Sequence, residues 1–213
     1  MSSDVLVTTP AQRQTEPHAE AVSRNRRQQA TFRKVLAAAM ATLREKSYAD
    51  LTVRLVAVRA KVAPATAYTY FSSKNHLIAE VYLDLVRQVP CVTDVNVPMP
   101  IRVTSSLRHL ALVVADEPEI GAACTAALLD GGADPAVRAV RDRIGAEIHR
   151  RITSAIGPGA DPGTVFALEM AFFGALVQAG SGTFTYHEIA DRLGYVVGLI
   201  LAGANEPSTG GSE

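Results

Sequence analysis

The sequence has only two cysteines, Cys91 and Cys124, among its 213 residues. So few thiols, with no secretory signal ahead of them, exclude a small disulfide-stapled scaffold and suit reduced thiols in a cytoplasmic protein. The first twenty residues hold Arg13, Glu16 and His18 and no apolar run, unlike a signal peptide or an anchor. Long hydrophobic runs are lacking too. The most apolar stretches, Val165–Ala179 and Leu193–Ala204, contain Glu169 and Gln178 or fall short of the roughly 20 residues that a bilayer-spanning helix needs, so no membrane partner is expected. Two-residue alternation is missing over any useful length, which argues against sheets, and no internal repeat is found. Catalytic and metal motifs are missing as well. His18, His76, His109, His149 and His187 are scattered, with no His-Glu-x-x-His, paired Cys-x-x-Cys or phosphate loop. Asp116, Glu117 and Glu119 surround Pro118 and read as a solvated helix boundary. No enzymatic activity, cofactor or metal is expected.

What is present points to a folded, all-helical chain. Hydrophobic residues make up 48% and charged residues 20%, enough for a sizeable core and too apolar for general disorder. The 21 basic and 21 acidic residues cancel overall but are unevenly placed. From Arg24 to Lys74 there are eleven basic residues against Glu45 and Asp50, a surplus of nine that the rest of the chain offsets. A basic module joined to an acidic body is the electrostatic footprint of a nucleic-acid-binding domain with a regulatory or oligomerising domain appended. The alternative is a helical interaction or scaffold protein without sequence-specific DNA binding, which leaves the basic surplus unexplained.

Residues 1–23 lack apolar periodicity and are expected to form a disordered leader, and 205–213, with Pro207 and Gly210-Gly211, a flexible tail. Phe32, Val35, Leu36, Ala39, Met40 and Leu43 form one stripe of a helix from about Arg26 to Lys46. Thr52 caps a short helix over Val53–Ala60, and Pro64 opens another through Phe71. A fourth starts after Ser72-Ser73 and runs to Gln88, where Pro90 stops it. The division expected is a DNA-binding domain at 24–74, a connecting helix at 75–89, a linker at 90–100 and a larger domain at 101–204. That larger domain is expected to hold helices at about 101–115, 119–130, 134–156, 162–181 and 186–203, between breaks such as Gly131-Gly132 and Gly157-Pro158-Gly159. In the longest, Val137, Val140, Ile144, Ile148, Ile152 and Ile156 form the inward stripe, while Arg138, Arg141, Arg143, Arg150 and Arg151 face away.

Two short helices joined by a three-residue turn inside the basic segment fit a helix-turn-helix, whose second helix enters the major groove. The string from Tyr48 to Lys74, with Thr66-Ala67-Tyr68-Thr69-Tyr70-Phe71 at its centre and Ser73-Lys74 opening the next helix, resembles the DNA-binding domain of the TetR family of bacterial transcriptional repressors. The close match covers about Arg27 to Val86. Lys61 stands where the family commonly has Gly, and Ala63 where a Ser or Thr cap is frequent, so the turn is expected to be strained and uncapped.

Candidate DNA contacts follow residue by residue. Pro64 and Ala65 open the recognition helix, and the small Ala65 and Ala67 allow close approach. Thr66 suits a base edge or a thymine methyl. Thr69 shares that helix, and the hydroxyls of Tyr68 and Tyr70 suit phosphate oxygens, unless one of the two rings packs in the small core. Thr52 and Arg54 begin the preceding helix, where backbone amides and a guanidinium suit phosphate, and Lys74 follows the same logic. Arg26 and Arg27 form either an arm along the DNA or solvated charge.

The resemblance implies a C-terminal domain that dimerises through its last two long helices and encloses a small-molecule pocket. Here it implies a homodimer on a near-palindromic double-stranded operator, released by a small apolar ligand. For the dimer interface the candidates are Phe172, Leu176, Ala179, Gly194, Val197, Gly198 and Leu201. For the pocket they are Leu107, Leu110, Cys124, Leu128, Phe166, Met170 and Phe173, with His109 or Gln178 as the polar group that fixes orientation.

Overall fold

A computed structural model describes residues 16–130 and 133–204, with side chains from residue 25 onward. The described residues form helices and no strands. These are α1 (Glu16–Leu43), α2 (Val53–Arg59), α3 (Pro64–Tyr70), α4 (Lys74–Gln88), α5 (Met99–Ala111), α6 (Pro118–Asp130), α7 (Pro135–Ile156), α8 (Pro162–Gly180) and α9 (Tyr186–Ala204), with a 3₁₀ turn at Leu112–Val114 after α5. Helices α4, α7, α8 and α9 start where local chemistry satisfies their first amides. The Ser73 hydroxyl accepts from His76 N at 3.1 Å, Asp134 from Ala136 N at 2.9 Å and Asp161 from Thr164 N at 2.7 Å. Proline stands at the first position of α7 and α8. At α9, Thr185 and Glu188 bond each other's backbone amides in a capping box.

Helix ends at α1 and α5 shift by two to four residues from the sequence expectation, and the start of α1 differs most. Helix α1 begins at Glu16, within the segment read as a leader, with Pro17 in its first turn, where proline is tolerated, followed by the good helix formers Ala19, Glu20 and Ala21. Residues 1–15 and 205–213 lie outside the described residues.

The small N-terminal core gathers Val35, Leu36 and Ala39 from α1, Leu51 and Val56 around α2, Ala67 from α3 and Phe71, all buried. Phe32 stacks on Phe71 at 5.1 Å between ring centroids. The turn between α2 and α3 shows both anticipated departures. Lys61 sits at φ 53°, and Ala63 caps α3 with no side-chain hydrogen bond.

Helix α4 belongs to both halves of the molecule. Leu77 to Leu83 are all buried, as is Val86, between α1 on one side and α6 and α7 on the other. Helix α4 runs parallel to α7 and is fastened to it at three levels. At its start Ser73 donates to Asp134 at 2.9 Å. Midway, Arg143 donates to both oxygens of buried Glu80, at 2.6 and 3.3 Å. At its end the Arg151 guanidinium donates to the carbonyls of Val89 at 2.6 Å and of Arg87 and Pro90 at 3.4 Å. Arg151 is therefore buried, not outward-facing as its sequence position suggests. Its charge answers the orphan carbonyls that end α4 and is balanced by Glu147 at 3.0 Å. Arg102 closes α7 similarly, bonding the carbonyls of Ala155 and Ile156. Helix α5 packs along α9, and α8 lies against α9, α6 and α7.

Burial pushes the Glu80 carboxyl up, but Arg143 and the His76 ring 3.7 Å away outweigh it, and the net shift is below the ordinary 4.5. A depressed carboxylate stabilises the fold fully above its unfolded value and ceases to do so as pH falls through its folded value. Glu80→Gln is expected to destabilise the protein by about 1–3 kcal/mol at pH 7. The gap to wild type should narrow once pH drops below 4.5, as read by urea unfolding at pH 7 and at progressively lower pH. In the turn, Lys61→Gly relieves the left-handed strain but loosens the unfolded chain, for a net gain of about 0.5–1 kcal/mol. Ala63→Ser restores a cap worth about 1 kcal/mol. Both are checked by the same unfolding midpoints.

Candidate functional site

Helix α3 divides into two faces. Ala65, Thr66, Tyr68 and Thr69 are exposed, while Ala67 is fully buried. The small Ala67 therefore lets α3 sit close to its own domain and is not available to DNA. Tyr70 is half-buried, with its ring edge-on to Phe32 at 6.1 Å, so it is the one of the two tyrosines that packs in the small core. Tyr68 is 52% exposed. The Thr69 hydroxyl donates to the Thr66 carbonyl at 2.7 Å, leaving its oxygen as an acceptor, whereas the Thr66 hydroxyl is unengaged among the described residues. Pro64 sets the start of the helix and is half-buried.

The basic residues also separate into two groups. Arg59 forms a two-pronged pair with Glu45, at 2.5 and 2.6 Å, and Arg44 forms one with Glu117 that ties α1 to the start of α6. These cations serve the protein. Arg26, Arg27, Arg33, Lys34, Lys46, Arg54 and Lys61 are exposed and unpaired among the described residues. Thr52 is exposed and caps α2 by accepting from Leu55 N at 3.1 Å, which leaves its hydroxyl proton for an outside acceptor.

Lys74 is also engaged within the protein. Its ammonium donates to the Tyr48 carbonyl at 3.2 Å and lies 4.5 Å from the centre of the Tyr48 ring. Burial pushes the Tyr48 phenol up to about 12, so it stays a neutral donor to Asn75. Lys74 is thus a cross-link between the α1–α2 loop and α4, with part of its donor capacity already used.

In the larger domain a cavity of about 290 Å³ lies between α4, α6, α7, α8 and the start of α9. Of the pocket candidates, Cys124, Leu128 and Phe173 line it. Burial pushes the Cys124 thiol up to about 12, so it serves as a small apolar wall. Leu107 and Leu110 are fully buried on α5, away from that wall, and His109 is exposed. Phe166, Met170 and Gln178 are also exposed, on the outer side of α8. The lining residues that the sequence did not reveal are Tyr82 from α4, Thr125 from α6, Arg141 and Ile144 from α7, and Tyr186, which opens α9. Gly121 is required beside them, since a Cβ there would come 2.4 Å from the Tyr186 hydroxyl oxygen.

The dimer candidates are corrected in the same way. Phe172, Ala179, Val197 and Leu201 are buried within the chain itself, Leu176 lines the cavity, and Gly194 faces Thr104 of α5. Only Gly198 is exposed. The physical reason is that α8 and α9 are apolar on two sides, so spacing alone does not say which side turns inward. The outward side carries Phe166, Met170 and Val177 on α8 and Tyr195 and Leu199 on α9, each at least 45% exposed. By length and composition α8 is the one helix among the described residues that could cross a membrane, although its inner side packs against neighbouring helices.

Comparison with known proteins agrees with this geometry. Residues 35–81, from α1 through most of α4, match the sequence profile described as bacterial regulatory proteins, tetR family. A TetR transcriptional regulator from Rhodococcus sp. RHA1 superposes with a TM-score of 0.69 at 21% identity, covering 84% of this chain and 98% of that one. Thermus thermophilus FadR, a TetR-family transcriptional repressor in complex with lauroyl-CoA, gives 0.60 at 18% identity over 85% of this chain and 99% of its own. Bacillus subtilis FadR in complex with stearoyl-CoA gives 0.54 at 14% over 81% and 98%. Residues 35–81 thus carry the helix-turn-helix of the tetR family of bacterial regulatory proteins, and the chain as a whole shares its fold with solved tetR-family regulators.

Proposed function

We propose that the protein is a homodimeric repressor whose two α3 helices read a near-palindromic operator and whose hold on DNA is loosened by a small ligand in the α4–α8 cavity. The observation that carries this reading is that Tyr82, on the cavity wall, belongs to the helix that directly follows α3. A ligand touching Tyr82 acts on the element that aims the reading head. Because α4 is fastened to α7 along its length, the two move with the N-terminal domain as a unit against α8 and α9. A ligand favouring one placement by about 1–3 kcal/mol changes DNA affinity by about 5 to 150-fold. The two FadR structures, solved with stearoyl-CoA and lauroyl-CoA, are relatives in fold whose ligands carry an acyl chain.

For dimerisation we assign the exposed stripe of Phe166, Met170, Tyr195 and Leu199, with Gly174 and Gly198 permitting close approach. A single helix-turn-helix reads too few base pairs for useful specificity, and a two-fold pair doubles the site. For DNA we assign Thr66 and Ala65 to base edges, and Thr52, Arg54, Tyr68 and Thr69 to phosphates. Arg26 and Arg27 lie along the flanking backbone. Tyr70 and Lys74 support the reading head from within.

The test is a titration against upstream DNA and a scrambled duplex at several salt concentrations. Thr66→Ala should change preference among operator variants by about 1 kcal/mol or more per site. Arg54→Ala should weaken all sequences alike and lower the slope of log affinity against log salt by about one unit per subunit. Lys74→Met should instead lower the unfolding midpoint. If wild type bound scrambled DNA as tightly as any upstream sequence at all salts, the scaffold reading would replace this one. Separately, Tyr195→Asp with Leu199→Asp should yield a monomer by sedimentation at micromolar concentration, with weakened operator binding.

A further inference from the structure

The cavity is apolar over most of its wall, yet two polar groups on it lack partners among the described residues. The Tyr82 hydroxyl is buried within α4, and the Nε of Arg141 is buried on α7. Neither forms a hydrogen bond, and Arg141 has no ion pair, in contrast to its neighbours Arg143, Arg150 and Arg151, each of which meets a carboxylate. Arg141 and Tyr82 come from the two fastened helices, and both line the cavity. Among the lining residues Arg141 is the one full charge, and no Asp or Glu is present. Thr125 and Tyr186 add hydroxyls, while Leu128, Leu129, Ile144, Phe173 and Leu176 supply the apolar remainder. The outer side of Arg141 borders a surface cleft that also holds Asp142, His149 and Glu169. There His149 and Glu169 pair with each other at 2.9 Å, and Arg141 stands between that cleft and the cavity.

A guanidinium Nε and a phenol left without acceptors in a largely apolar wall are matched by a ligand that brings an anionic acceptor and an apolar body. The volume of about 290 Å³ is near the lower end for small-molecule pockets. We infer that the cavity selects a compact monocarboxylate, with its carboxylate bonded by Arg141 and Tyr82 and its apolar body against Leu128, Ile144, Phe173 and Leu176. This rests on the reading of the cavity as the regulatory site and narrows the ligand from apolar to amphipathic and anionic. A carboxylate bridging Tyr82 and Arg141 draws on both helices of the fastened pair at once, which gives the head group, more than the apolar body, the leverage on α3.

The probes are octanoate and 3-phenylpropanoate, each beside its methyl ester and its alcohol, with octanoyl-CoA as the thioester. Binding is measured by calorimetry on the full chain. At least one acid should bind about tenfold or more tightly than its ester and alcohol, the difference expected of a charge-assisted hydrogen bond. Arg141→Met keeps the apolar stem and should abolish that preference while leaving ligand-free operator affinity unchanged. Tyr82→Phe should reduce it in part. If neutral forms bound as tightly as the acids, or Arg141→Met kept the preference, the anion assignment would fail and the ligand-responsive reading would survive. If octanoyl-CoA, whose phosphates are themselves anionic, bound as tightly as the acids, the compact monocarboxylate would be overturned in favour of a larger anion. If no acid and no neutral probe bound, both would fail, and the DNA-binding role would stand alone.

Discussion

The parallel fastening of α4 to α7 is the constraint on which the rest of the structure depends. Ser73 with Asp134, Glu80 with Arg143, and the α4 carboxyl end with Arg151 hold the two helices at the start, middle and end of their shared length. Each fastening uses a group that would otherwise be costly: a helix-capping hydroxyl, a buried carboxylate, and the unpaired carbonyls of a helix end. Because α4 also buries its other side against α1, it cannot shift without carrying the helix-turn-helix with it. The cavity opens between this pair and α6 and α8, so whatever occupies it presses on the same two helices.

Much of the fold was legible in the sequence because its punctuation is strong. Pro64, Pro118, Pro135 and Pro162 begin helices, and Asp134, Asp161 and Thr185 cap them, so the observed starts lie close to those expected. The departures at Lys61 and Ala63 were legible too, since a turn that favours glycine makes its residue adopt a positive φ whatever the side chain. The start of α1 was not legible, because a segment with only Ala19, Ala21 and Val22 among polar residues carries no apolar period to detect.

The site was legible to a lesser degree, for two reasons. Helices α8 and α9 have apolar residues on opposite sides, so Phe172 and Phe166, or Leu201 and Leu199, look interchangeable until neighbours are in place. Arginine was the second difficulty. Arg138, Arg141, Arg143, Arg150 and Arg151 all lie off the apolar stripe of α7, yet one lines a cavity, one reaches a buried glutamate and one caps a neighbouring helix. A long stem with a charged end can turn back into the protein, and only a partner in another element decides whether it does. By contrast, Thr66 and Tyr68 were legible because a short helix held by Ala67 and Phe71 has only one side left to expose.

In the proposed release of DNA the reading head, α4 and α7 move together against the last two helices. Paired spin labels test it most directly, in a Cys91→Ser background with one labelled protomer diluted into unlabelled protein. The pair Ala65→Cys and Ser154→Cys spans α3 and α7, and the pair Ala65→Cys and His187→Cys spans α3 and α9. On addition of octanoate at a concentration that releases DNA, the first distance should stay fixed and the second should shift. A first distance that changes, or two unchanged distances while DNA is released, would contradict the claim.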